Sequence, residues 1–166
     1  MGSPMTLLLV GVTVLVSWMA FNNRQLVERL LLWPPAIDRQ HQYDRLLTHG
    51  FVHADWQHLL FNMITLFFFG RAIEPFFVSY IGSLGLFYLS AILVAILPTY
   101  LRHRHDPRYR SLGASGAVSA VLFAYILLAP WQLILVFFLP VPAILYAVFY
   151  VGYSIWMDRQ GTDNVN

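Results

Sequence analysis

The 166-residue sequence contains no cysteine and no lysine. Without cysteine there is no disulfide framework, no thiolate metal site and no thiol nucleophile. Without lysine, all ten basic residues are arginine, and the formal net charge is only +2. Charge of either sign is scarce: 11% of residues are charged, against roughly 25% in soluble domains. No nucleic-acid motif accompanies the arginines, which flank apolar runs and read as contacts to anionic lipid head groups. The opening MGSPMTLLLVGVTVLVSWMAF carries no basic residue ahead of its apolar run. It therefore reads as a retained first helix, not as a cleaved secretory leader.

Apolar residues make up 58% of the chain and arrive in long blocks, not at the spacing of a half-buried surface. The expected fold is all-α: a polytopic bundle of membrane helices forming a single domain over residues 1–166. Five spans are expected, at Met5–Phe21, Trp56–Gly70, Phe76–Tyr100, Gly113–Ala129 and Trp131–Trp156. Trp18, Trp56, Trp131 and Trp156 stand at span ends, where amphipathic rings favour the head-group layer. Arg71–Pro75 and Ala129-Pro130 read as tight turns. In the long Asn22–Asp55 connection, Leu26, Val27, Leu30 and Leu31 share a face opposite Arg24, Glu28 and Arg29. That suits a short helix lying in the interface, ended by Pro34-Pro35; a solvated loop is the plainer alternative.

If all five spans cross, the Asn22–Asp55 loop, the Leu101–Leu112 loop and the tail after Trp156 share one membrane face. Nine of the ten arginines lie there and only Arg71 lies opposite, so counting positive charge puts that face in the cytoplasm.

The polar residues that demand explanation stand at the mouths of two spans. In RLLTHGFVHADWQHLLFNMITLFFFG, Arg45 to Gly70, the second span opens with His53, His58 and Asn62. His58 and Asn62 are spaced i, i+4 and project from one helix face. An imidazole and a carboxamide side by side can donate to one oxygen, as an oxyanion hole requires; equally, they could bond a neighbouring helix. His53 is placed to brace the loop ahead of them. The fourth span opens with Gly113-Ala114-Ser115-Gly116, which sets Ser115 at a helix N-terminus among small residues. Gly113, Gly116, Ala117, Ser119, Ala120 and Ala124 also suit plain close helix packing. Pro140 and Pro142 interrupt the fifth span, as a bend, a moving gate or a static kink.

Together these motifs resemble the rhomboid intramembrane serine proteases. Arg45-x-x-Thr48, Phe51 and H-x-x-x-x-H-x-x-x-N at His53, His58 and Asn62 match the approach to that family's second helix. Gly70-Arg71-Ala72-Ile73-Glu74 resembles the turn that follows, and Gly113-Ala114-Ser115-Gly116 matches the G-x-S-G of its catalytic serine. The resemblance implies a Ser–His dyad at the head of a water-filled cavity in a six-helix bundle. Ser115 is the implied nucleophile, with His58, Asn62 and the Ser115 backbone N–H holding the oxyanion. His53, Gly113 and Gly116 support the site, and the fifth helix gates it beside Pro140 and Pro142. The implied partners are transmembrane protein substrates and the lipid bilayer, with no nucleic acid; neither a metal nor a cofactor is implied. The compact architecture without extra domains suggests a bacterial cell membrane, and the resemblance places the site on the extracytoplasmic side, against the arginine count.

The chain departs from the family in one chemical respect. The family's general base is a histidine of a sixth helix, whereas the six histidines here are His41, His49, His53, His58, His103 and His105. The tail Gly161–Asn166 resembles the loop before that helix, so the expectation is a piece of a longer protease whose base lies beyond residue 166. Ser119 and Tyr43-Asp44 stand where many members carry aromatics. Two other classes remain open. One is a non-cleaving rhomboid-like protein that binds transmembrane segments for trafficking or quality control. The other is a small transporter or channel subunit with a His-lined proton path, which would need intramembrane carboxylates or a broken-helix pair; the five expected spans lack Asp and Glu.

Overall fold

Thr6, Leu9, Thr13, Ser17 and Ala20 form the buried stripe of the first helix, α1 (Pro4–Phe21), while Leu7, Leu8, Leu15 and Trp18 stay exposed. An apolar exterior around a stripe of small and hydroxyl side chains is the pattern of a helix dissolved in lipid and packed on its neighbours. The computed structural model describes residues 2–159 apart from 82 and 137. The fold is an all-α membrane bundle, and three helical stretches are long and apolar enough to cross: Pro4–Phe21, Trp56–Ser79 and Leu84–His103.

The long connection after α1 is folded. Asn23 accepts the Leu26 amide at 3.0 Å and so starts α2 (Arg24–Leu30), whose Leu26, Val27 and Leu30 are half-buried while Arg24, Glu28 and Arg29 are exposed. Pro34-Pro35, expected only to break that pattern, begin a further helix, α3 (Pro34–Gln40), because proline fits a helix's first turn. Arg45, in the single turn α4 (Arg45–Thr48), is 4% exposed and crosslinks the region. Its guanidinium donates to Glu28 O and Leu31 O, each at 2.8 Å, and to Gln42 Oε1 at 2.7 Å. The planar five-donor fork lets one side chain satisfy several carbonyls at once.

Two long helices follow: α5 (Trp56–Phe76) and α6 (Leu84–His103). The second span therefore does not stop at Gly70, and Arg71–Pro75 is no turn. Two contacts make a polar segment acceptable inside the helix. Arg71 lies over the Phe67 ring at 4.9 Å, one turn back. Glu74 is buried and accepts from Met5 N at 2.8 Å, Thr6 N at 2.9 Å and Thr6 Oγ1 at 2.6 Å. A carboxylate at a helix N-terminus meets free N–H groups and the positive end of the dipole. Glu74 thus places an acidic residue within a span, where none was expected. Pro75 is followed by a wider π-helical turn, Phe77–Ile81, and Ser83, not Phe76, caps the next helix through Gly85 N at 3.2 Å.

The Asn22–Asp55 region folds onto the end of α6 and the loop that follows it. Leu32 and Ser111 exchange both backbone hydrogen bonds, at 2.9 and 3.2 Å. Leu32, Ile37 and Ile96 form a small core, with Leu46, Tyr100 and Tyr109 packed around it. Tyr100 donates to Asp38, which also faces Arg104 at 3.5 Å.

The chain divides into two compact bodies inside α7 (Ser115–Leu128), residues 1–122 and 123–166. In the second body the expected fifth helix, Trp131–Trp156, is replaced over nearly its first half. Strands β1 (Leu133–Val136) and β2 (Leu139–Pro142) pair antiparallel, with Val136 opposite Leu139 and Leu133 opposite Pro142. Helix α8 (Ala143–Arg159) starts only after them. The reason is local: Leu139 and Val141 each precede a proline, which disfavours the helical region, and Leu-Ile-Leu-Val suits a strand. Pro140 and Pro142 therefore lie in an extended ribbon and kink no helix.

Candidate functional site

Asp55 fixes where α5 begins by accepting the His58 amide at 2.7 Å. That cap sets His58 on the first turn and Asn62 one turn later on the same face. Asn62 is buried, and its Nδ2 donates to the His58 carbonyl at 3.0 Å. That bond uses one of its two amide hydrogens.

His53 sits just ahead of the helix, 2% exposed. Its ring meets the His58 ring edge-on, with centroids 4.9 Å apart. The Ala114 amide donates to His53 Nε2 at 3.4 Å, and His53 Nδ1 lies 3.0 Å from Ser17 Oγ. Ser17 Oγ in turn donates to the Phe51 carbonyl at 3.0 Å. Burial above all, and then the neighbouring His58, pushes the His53 imidazole down to about 4, with Asp55 pulling weakly the other way. It is a neutral histidine held at both nitrogens.

Gly113 carries the opposite wall. Its amide donates to the His49 carbonyl at 2.9 Å, and His49 Nδ1 donates to the Arg45 carbonyl at 3.0 Å. Burial lowers the His49 pKa as well. Gly113 has φ +120°, a conformation that favours glycine, and a β-carbon there would sit 2.7 Å from His58 Cε1. Ser115 is the first residue of α7 and is exposed. Gly116, beside it, packs on α6: a β-carbon at this position would lie 2.6 Å from Ala95 Cβ. A cavity of about 200 Å³ adjoins Ser115, lined in part by His49, Ile92, Ala95, Thr99 and Gly113.

The structure thus brings together His53, His58, Gly113, Ala114 and Ser115, from two stretches separated by about 60 residues. Pro140 and Pro142 belong to the other body. The tail Gly161–Asn166 lies outside the described residues. Among the described residues no group of three or more His, Cys, Asp or Glu could hold a metal. Sequence reasoning passed over Ser17 and the carbonyl of His49. Ser17 had a signal: Thr6, Thr13 and Ser17 stand at i, i+7 and i+11 of an apolar helix, one face.

An apolar helical bundle with two polar helix mouths converging at one end defines an integral membrane protein embedded in lipid. The chain belongs to the rhomboid family: the profile of the Rhomboid domain matches residues 40–165. It is 34% identical to RHOMBOID-like protein 12, mitochondrial, of Arabidopsis thaliana, over 96% of this chain and 52% of that protein. It is also 34% identical to Rhomboid protease GlpG of Enterobacter sp. (strain 638), over 72% of this chain and 41% of that protein. A second Rhomboid protease GlpG, from Klebsiella pneumoniae (strain 342), is 29% identical over 55% of this chain and 31% of its own length. The chain spans about half or less of the length of these curated relatives.

Proposed function

We propose that this chain is the core of a serine endopeptidase that cleaves transmembrane segments of other membrane proteins. The observation that carries the reading is the meeting of the α5 and α7 mouths, with Ala114 N on His53 Nε2 at 3.4 Å and Gly113 against His58. It leaves Ser115 exposed beside a cavity and at the end of a helix whose free N–H groups favour an anion. In this reading Ser115 Oγ attacks the scissile carbonyl as its proton passes to a base. The oxyanion is held by the Ser115 amide, His58 and the second Asn62 amide hydrogen; collapse expels the amine, which takes the proton from the base, and water then hydrolyses the acyl-enzyme by the same route. The base is a histidine that these residues do not include. His53 has both ring nitrogens engaged.

Helix α7 has 14 residues and reaches about 21 Å, short of a hydrocarbon core of about 30 Å. Its Ser115 end then lies below the membrane surface when the other end reaches the far interface, a depth suited to a bond near the end of a spanning helix. The reading includes a bacterial cell membrane and an extracytoplasmic site; the gate at Pro140 and Pro142 rests on the family resemblance alone. Fusing a reporter after Trp156 tests the orientation, and reporter activity typical of the cytoplasm would reverse it.

A second reading is a rhomboid-like protein that binds transmembrane segments without cutting them. The engagement of both His53 nitrogens favours it, since that ring is not free to take the Ser115 proton. Comparing Ser115→Ala with the parent protein in vesicles that carry a transmembrane test substrate decides between the two. Cleavage abolished by the substitution supports the protease, whereas undiminished substrate capture with no cleavage in either protein supports the binder.

A further inference from the structure

We propose that Ser17 is a positioning residue for the nucleophile: its hydroxyl fixes the tautomer and tilt of His53, and His53 holds the peptide that leads into Ser115. The inference rests on the protease reading only for its effect on rate. It begins with an accounting of protons. A backbone amide can only donate, so the Ala114 bond at 3.4 Å makes His53 Nε2 an acceptor. A neutral imidazole has one N–H, which must then be on Nδ1, facing Ser17 Oγ at 3.0 Å. Ser17 Oγ accepts that hydrogen and spends its own on the Phe51 carbonyl at 3.0 Å. Every donor in the chain Ala114–His53–Ser17–Phe51 has one acceptor, and reversing any member leaves two donors or two acceptors face to face.

The consequence lies at the turn before α7. The Gly113 amide is held by His49 O at 2.9 Å, and the next amide, of Ala114, is held by His53. Two successive peptides are thereby fixed, and the third N–H, that of Ser115, is the one assigned to the oxyanion. Without the Ser17 acceptor the Nδ1–H is buried and unpartnered, a penalty the ring escapes by moving its hydrogen to Nε2. That hydrogen then points at the Ala114 amide, donor against donor, and pushes away the peptide adjoining Ser115. Ser17 stands in α1, 98 positions before Ser115, so the first helix reaches the site through one imidazole.

The test uses the full-length protein with ¹⁵N-labelled histidine, in detergent or bicelles, compared with Ser17→Ala, Ser17→Thr and Thr13→Ala. Thr13 is the control, a buried hydroxyl of the same helix that donates only to its own Leu9 carbonyl at 2.7 Å. The parent protein is expected to show His53 with hydrogen on Nδ1 and a bare Nε2. Ser17→Ala is expected to shift that signal towards the other tautomer and to lower kcat by about tenfold, with KM little changed. Ser17→Thr restores both, and Thr13→Ala leaves the tautomer in place. Should Ser17→Ala fail to fold, Ser17→Cys, a weaker acceptor, gives the same reading. An unchanged tautomer in the Ser17 variants, or an equal shift in Thr13→Ala, overturns the proposal. If neither parent nor variants cleave, the protease reading fails, while the tautomer signal still decides whether Ser17 positions His53.

Discussion

The imidazole of His58 occupies the space where a β-carbon of residue 113 would be: such an atom would lie 2.7 Å from His58 Cε1 and 3.2 Å from Nε2. Gly113 is therefore fixed twice over, by its φ of +120° and by its neighbour. Gly113→Ala is expected to cost on the order of 1–3 kcal/mol of stability from backbone strain and to displace the ring assigned to the oxyanion. Cleavage should fall at least about tenfold. Adding His58→Ala relieves the clash but not the strain, so its stability should recover only in part. Full recovery in that double variant would show the φ argument to be wrong.

Glu74 ties the far end of α5 to the first turn of α1. Glu74→Ala leaves Met5 N, Thr6 N and Thr6 Oγ1 without their acceptor. The expected loss is about 3–5 kcal/mol, read by denaturant titration in detergent. Glu74→Gln keeps one acceptor oxygen and should lose about half as much. A loss under about 0.5 kcal/mol for Glu74→Ala would mean that water or lipid serves those donors equally well.

Gly116 and Ala95 share a helix contact with no spare room, 2.6 Å for an added β-carbon. Gly116→Ala alone is expected to destabilise by about 1–3 kcal/mol through overpacking. Combined with Ala95→Gly it should recover most of that loss, giving a coupling energy above about 1 kcal/mol. Simple additivity of the two changes would mean that α6 and α7 are not in contact there.

Acid should loosen the fold through His53. Its pKa is about 4 in the folded protein against an ordinary 6.5, so between those values the unfolded chain binds a proton that the folded one refuses. Stability is therefore full above about pH 6.5 and declines as pH falls, with a loss on the order of 3 kcal/mol by pH 4. His49, also lowered by burial, adds in the same direction. Thermal midpoints measured from about pH 7.5 to 4.5 check this. His53→Gln should flatten the decline, and an identical slope in that variant would assign the effect elsewhere.

Much of this was readable from one dimension because it is written in spacing and composition. Apolar blocks with 11% charge can be satisfied only by lipid and internally bonded helices, which set the all-α membrane fold. The i, i+4 pair His58 and Asn62, and the Gly-Ala-Ser-Gly step at residues 113–116, announced a site by being polar or small where apolar bulk is the default. What composition left undecided was where one apolar element ends and the next begins. Arg71 to Pro75 looks like a turn until Glu74 is seen to be partnered by α1, and Trp131 to Trp156 reads as one helix until its prolines act on the residues before them.

The partnerships themselves belong to the tertiary structure. No spacing rule links Ser17 to His53, His49 to Gly113, or Gly116 to Ala95, since each pair joins segments 36 to 64 residues apart or on different helices. A buried donor or acceptor takes whatever partner the packing delivers, at a cost of several kcal/mol if none arrives. The sequence thus determined that polar groups stand at the mouths of two membrane helices. Only the packing of α1, α5, α6 and α7 decided which of them bond to one another, and so how Ser115 is held.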